Sequence, residues 1–133
     1  MDKNELQERL TEFAVRIVKM VDSMPSTISG QAIARQVVRS GTSPSANYRA
    51  ACIAKSDKDF LNKLKLVEEE LDETCHWLHL IIRCEMMKAS RLQPLAQECN
   101  ELLSIIVKSI VSMKNRMKTE EMEKMRNSSI NRK

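Results

Sequence analysis

Apolar side chains return every three or four residues along almost the whole chain, and that spacing limits what the chain can fold into. Leu6, Leu10, Phe13, Ile17, Val21 and Met24 mark one stripe; Phe60, Leu64, Val67, Leu71, Cys75, Leu78 and Ile82 mark a longer one. Leu95, Cys99, Leu102, Ile106, Ile110, Met113 and Met117 mark another. Such spacing lines each set along one side of a helix, where a buried seam needs it. An all-β chain needs turn residues at close, regular intervals, and here only 2 glycines and 3 prolines occur in 133 residues. Aromatic anchors for strands are equally scarce, with 1 Trp, 1 Tyr and 2 Phe. No internal repeat of solenoid length is present.

The first helix is expected to start at Asn4, which with Gln7 three residues on resembles a capping box. It should end by Met24, because Pro25 disfavours helical geometry in the residue before it. Ser26, Ser29 and Gly30 supply a turn and a cap for the second helix. At about 100° per residue, Ile33, Val37, Gly41, Pro44, Tyr48 and Ala51 gather on one side of it, and Arg35, Arg39 and Arg49 on the other. Two arrangements fit the stretch RSGTSPSANYRAA. One is a continuous helix kinked at Pro44; the other is a break, with Ser43 as N-cap and Pro44 opening a new helix. The separation of faces favours the first. In either, Ser40, Gly41, Ser45 and Ala46 offer a small-residue surface for a neighbouring helix, and no phosphate-loop pattern is present.

Ser56-Asp57-Lys58-Asp59 caps a third helix that should run to about Met86. After a turn from Lys88 to Arg91, a fourth is expected from Leu92, with Pro94 in its first turn. The expected architecture is all-α: an up-down-up-down four-helix bundle over residues 1–118, followed by a polar, frayed or disordered tail over residues 119–133. Leu103, Ile105, Val107 and Val111 widen the fourth stripe, and Trp77, Leu80, Ile81 and Cys84 the third. Excess apolar surface on a small bundle points to self-association into a homo-oligomer; the alternative is a monomer that uses these residues to fill its own core.

Several function classes lose support. The four cysteines (Cys52, Cys75, Cys84, Cys99) form no CxxC pair and read as small hydrophobes of a reduced, cytoplasmic protein. The charged opening MDKNELQERL and the lack of an apolar run of membrane length lead to an expectation of neither export nor membrane insertion. Glu73-Thr74-Cys75-His76 is a single Glu-x-x-His, and the second histidine, His79, lies on the same helix, so a paired metal motif cannot be built. No GxSxG or Cys–His arrangement supports a nucleophile. The expectation is a protein with no catalytic residues, metal or cofactor.

What remains is surface charge. The net charge is +4, but unevenly spread. Between Pro25 and Ser56 the charged residues are Arg35, Arg39, Arg49 and Lys55, with no acid, whereas Glu68, Glu69, Glu70, Asp72 and Glu73 crowd the third helix. Lys108, Lys114, Arg116 and Lys118 make the fourth helix basic. Arg35, Arg39, Arg49, Lys108, Lys114, Arg116 and Lys118 are therefore the candidate phosphate contacts. The same arginines could instead pair with acids of the third helix, within or between subunits, and both readings stand. Aromatics for stacking single-stranded bases are nearly absent.

The stretch QVVRSGTSPSANYRAA, followed by KSDKDFLNKLKLVEEELDETCHWLHLI, resembles the bacterial four-helix-bundle proteins encoded in intervening sequences of 23S ribosomal RNA genes. That family was once labelled ribosomal and includes the accessory variability determinant of diversity-generating retroelements. Its Arg-Ser-x-x-Ser-x-x-Ala-Asn pattern falls on Arg39, Ser40, Ser43, Ala46 and Asn47, with Phe60 opening the third helix and Glu73 before its Leu-rich end. Ala50 and Val38 stand where many members carry Glu and a second Arg. The resemblance implies a ring, typically a homopentamer. In the retroelement members it also implies binding of nucleic acid and a reverse transcriptase. It gives Asn47 a structural part, bonding backbone left free near Pro44.

Overall fold

The computed structural model describes residues 1–131 as four helices: α1 (Lys3–Val21), α2 (Ile28–Cys52), α3 (Asp57–Arg83) and α4 (Ala89–Asn131), with no strand among the described residues. Short turns make consecutive helices antiparallel neighbours. α2 packs on α1 and α3, α4 packs on α3, and α1 meets α4 more lightly, which closes the bundle. Leu10, Phe13, Ile17, Val37, Leu64, Leu71, Leu78, Leu92, Leu102 and Ile106 form its solvent-free interior.

Local chemistry sets the helix ends. α1 is capped by Asp2, not Asn4: the Asp2 carboxylate accepts from the Glu5 amide at 2.8 Å. A charged acceptor one turn ahead of the first free amides also suits the positive end of the helix dipole. Thr27, rather than either serine, caps α2, its hydroxyl accepting from Gly30 N–H at 3.1 Å. Ser56 caps α3 as its sequence indicates, accepting from Asp59 N–H at 3.1 Å.

α2 runs unbroken through Pro44. The alternative N-cap, Ser43, sits inside the helix and donates from Oγ to the Arg39 carbonyl at 2.6 Å. Thr42 donates to Val38 O at 2.6 Å and Ser45 to Thr42 O at 3.0 Å, so hydroxyls line the helix on both sides of the missing proline N–H. Among the described residues, no hydrogen bond joins the Asn47 side chain to the backbone near Pro44, the part the resemblance assigns to it; the hydroxyls there reach Val38 O, Arg39 O and Thr42 O.

α3 stops at Arg83, three residues before the expected end. Glu85 turns into the left-handed region at φ 56°. Its N–H reaches Ile82 O at 3.0 Å, and Met86 N–H reaches Ile81 O at 3.2 Å, the paired bonds of a Schellman turn.

α4 starts at Ala89, so Pro94 lies deeper than the first turn. The helix also passes Thr119, where a polar tail was expected, and continues to Asn131; residues 132 and 133 of that tail lie outside the described residues. At 43 residues it is far longer than α3 at 27. A rise of about 1.5 Å per residue makes the excess roughly 24 Å. Residues 118–130 are all exposed.

α1 and α2 pack tightly at Gly41, where an added Cβ would lie 2.8 Å from both Cγ1 and Cγ2 of the fully buried Ile17. Gly41→Ala should therefore cost about 1–2 kcal/mol despite alanine's better helix propensity, read as a lower urea midpoint at unchanged m. Glu85→Gly should act oppositely, relieving the left-handed residue and raising stability by about 0.5–1 kcal/mol in the same titration.

A candidate nucleic-acid interface

Three of the signature residues, Arg39, Ser40 and Glu73, meet at the α2–α3 seam. The Arg39 guanidinium donates to Glu70 at 3.0 Å and to Glu73, bridging one turn of α3. The bond to Glu73 is the main cause holding its proton more tightly than usual, opposed by partial desolvation. One residue on, the Ser40 and Thr74 hydroxyls meet at 2.9 Å with no solvent exposure at either residue. Thr74 donates onward to Glu70 O at 2.7 Å, which leaves its oxygen to accept from Ser40. Phe60 lies beneath the Lys3 ammonium, 4.7 Å from the ring centre.

This arrangement divides the seven candidate cations. Arg39 is held by two carboxylates, whereas Arg35 and Arg49 are exposed and no ion pair engages them among the described residues. On α4, Lys108 and Arg116 face one cleft. Lys114 and Lys118 are a helical turn apart on another side, since six residues advance a helix by about 240°.

That cleft, of about 720 Å³, opens where the end of α2, the start of α3 and the middle of α4 meet. Lys3, Lys55, Lys108 and Arg116 line it, with Asp57 as the one carboxylate. Arg116 donates to Asp57 at 3.0 Å and lies 3.7 Å from Glu120, so the three lysines carry its unbalanced charge. The α3 N-terminus adds its partial positive charge. Cations, serine hydroxyls and backbone amides around one concavity can hold a phosphate.

Lys3 and Lys55 were not among the sequence candidates. Lys55 stood in the acid-free stretch beside the α3 cap, a usable signal. Nothing local to Lys3 shows that the N-terminus folds toward the same cleft.

A separate ion-pair cluster ties α1 to α4: Arg9 donates to both oxygens of Glu98, at 2.8 and 2.6 Å, and lies 2.8 Å from Glu101. Hydrogen bonds to these carboxylates raise the Arg9 pKa further, against the effect of burial. Among the described residues, no three His, Cys, Asp or Glu side chains converge on a metal-sized site, and no helix is long and apolar enough to cross a membrane.

Two comparisons bear on what this bundle is. The chain is similar to a protein of unknown function from the S23 ribosomal protein family of Bacteroides thetaiotaomicron VPI-5482, whose crystal structure was determined at 1.70 Å resolution. The two are 34% identical, with a TM-score of 0.77 over 83% of this chain and 98% of that one. No curated protein matches. The model of the family described as 23S rRNA-intervening sequence protein matches residues 2–108, which take in all of α1 to α3, the signature seam and the first half of α4. Neither description names an enzymatic activity, and the chain belongs to the 23S rRNA-intervening sequence protein family.

Proposed function

We propose that this protein is a non-enzymatic, oligomeric nucleic-acid-binding subunit that holds the phosphate backbone of structured RNA or DNA and serves as accessory to a nucleic-acid enzyme such as a reverse transcriptase. The observation that carries this reading is the cleft with Lys3, Lys55 and Lys108 facing a single, already paired carboxylate. A concave site focuses its field and attracts a polyanion without reading sequence. The exposed Arg35 and Arg49 extend the positive surface along a helix with no acidic residue. Lys114 and Lys118 add cations on a second side of α4.

Fluorescence anisotropy with a structured RNA and a duplex DNA, at low and near-physiological salt, tests it. Binding should weaken steeply as salt rises, because each neutralised phosphate releases counterions. Replacing Lys55 and Lys108 together by alanine should flatten the log–log salt slope by about 2. Arg35→Ala with Arg49→Ala should weaken binding as well, whereas Arg39→Ala should chiefly loosen the α2–α3 seam. Absence of binding at low salt, or an unchanged slope in the lysine variant, would overturn the reading.

A second reading, a protein-interaction scaffold with no nucleic-acid role, is favoured by the exposed apolar residues of α4: Val107 at 39%, Val111 at 52%, and Met122 and Met125 beyond the bundle. Both readings expect copies of the chain to associate, with the homopentamer the form implied by resemblance. Native mass spectrometry at micromolar concentration should give a multiple of 15.3 kDa. A strict monomer there would remove the ring from either reading.

A further inference from the structure

Spacing along the chain gave no pairing among the four cysteines, but the fold brings two of them together. Cys75 of α3 and Cys99 of α4 meet across their seam with the sulphurs 2.8 Å apart. A disulfide needs about 2.05 Å, so closing the bond asks for a movement of less than about 1 Å. Cys52 and Cys84 are exposed and contact no other sulphur among the described residues.

The two partners have different surroundings. Cys99 has no solvent exposure, and its Sγ also lies 3.3 Å from Leu71 O, to which the thiol can donate. Cys75 is only half-buried and lines a surface groove of about 360 Å³ with Asp72, His76, His79 and Asn100. A small oxidant can reach Cys75 from solvent and cannot reach Cys99. The contact between the sulphurs also lowers the Cys75 pKa, against burial and the Asp72 charge. That contact and burial together raise the Cys99 pKa. The thiolate is the form that peroxide attacks, so accessibility and ionisation select the same sulphur.

We propose that Cys75 and Cys99 form a peroxide-responsive dithiol site, in which Cys75 is oxidised first and Cys99 resolves it to an intramolecular disulfide between α3 and α4. In the first step the Cys75 sulphur takes one oxygen from hydrogen peroxide, the O–O bond breaks, and water leaves, giving a sulfenic acid. In the second, the Cys99 sulphur attacks Cys75, the S–O bond breaks, and the hydroxyl departs as water with the Cys99 proton. Two thiols thereby lose two electrons and two protons, and one peroxide becomes two waters. The product staples α3 to the helix that carries Lys108 and Arg116.

Peptide mapping of the full-length wild-type chain reads this directly, because each cysteine falls in its own tryptic peptide: 50–55, 66–83, 84–88 and 92–108. After hydrogen peroxide, alkylation of remaining thiols and non-reducing digestion, peptides 66–83 and 92–108 should be joined, with 50–55 and 84–88 alkylated. The intact mass should fall by about 2 Da and the melting temperature should rise by about 10 °C, both reversed by dithiothreitol. In Cys99→Ser, dimedone should instead trap the sulfenic acid on peptide 66–83. Alkylated thiols on both 66–83 and 92–108 after treatment, or linkages made through Cys52 or Cys84, would overturn the proposal. The wild-type map decides it even where the serine variant does not fold.

Discussion

The closeness of α2 to both its neighbours depends on two adjacent small residues, Ser40 and Gly41. Gly41 lets the backbone of α2 come within van der Waals reach of Ile17 on α1, at a place where a single methyl group would collide with two carbons at once. Ser40, about 100° further round the helix, points at α3 and closes on Thr74 without admitting water. A larger residue at either position would push one seam apart. The ion pairs at Arg39 and the hydrogen bond from Gln7 Nε2 to Ser45 O, 3.0 Å, depend on that spacing. Pro44 fits the same logic: it is buried against the interior, and its missing N–H is set among carbonyls served by the Thr42, Ser43 and Ser45 hydroxyls.

Each seam carries at least one polar contact with strict geometric demands. Arg39 joins α2 to α3, Arg9 joins α1 to α4, Gln7 joins α1 to α2, and Arg116 with the Cys75–Cys99 pair joins α3 to α4. Solvent-exposed ion pairs add little to stability. Their value here is registry: leucine stripes sliding by one turn would still bury apolar area, but they would separate these charges. The fold is held by its leucines and isoleucines and indexed by its arginines.

Period and phase carried most of the fold in the sequence. The faces of α2 follow from counting alone, since Val37, Gly41, Pro44, Tyr48 and Ala51 are all buried. On α3 counting placed Leu64, Val67, Leu71 and Leu78 correctly, but the other buried residues, Leu61, Thr74 and Ile81, lie one position away from Phe60, Cys75 and Ile82. That helix contacts α2 on one flank and α4 on the other, so its buried arc is wide and its centre is fixed by neighbours. The left-handed Glu85 was illegible because glycine or asparagine usually marks that position. The helical course of α4 past Thr119 was hidden for a different reason: periodicity reports burial, and a helix exposed on every side has none to report. Of the candidate site, the acid-free run of α2 was visible, but the partition of its arginines was not. That partition depends on Glu70 and Glu73 arriving from another helix.

The same partition explains where positive charge is left over. Of the acids crowded on α3, Glu70 and Glu73 face Arg39; on α4, Glu98 and Glu101 face Arg9; Asp57 faces Arg116. Acids placed at seams are neutralised by the arginines that index the bundle. Arginine suits those positions because its planar fork can hold two carboxylate oxygens at once. Lysine, a compact charge on a flexible stem, lacks that fork, and Lys3, Lys55 and Lys108 line the cleft beside the Arg116–Asp57 pair. The net charge of +4 is therefore less informative than the division of labour behind it. Arg9, Arg39 and Arg116 bind the molecule's own helices, whereas Lys3, Lys55 and Lys108 in the cleft, and Arg35 and Arg49 on α2, carry no ion pair among the described residues.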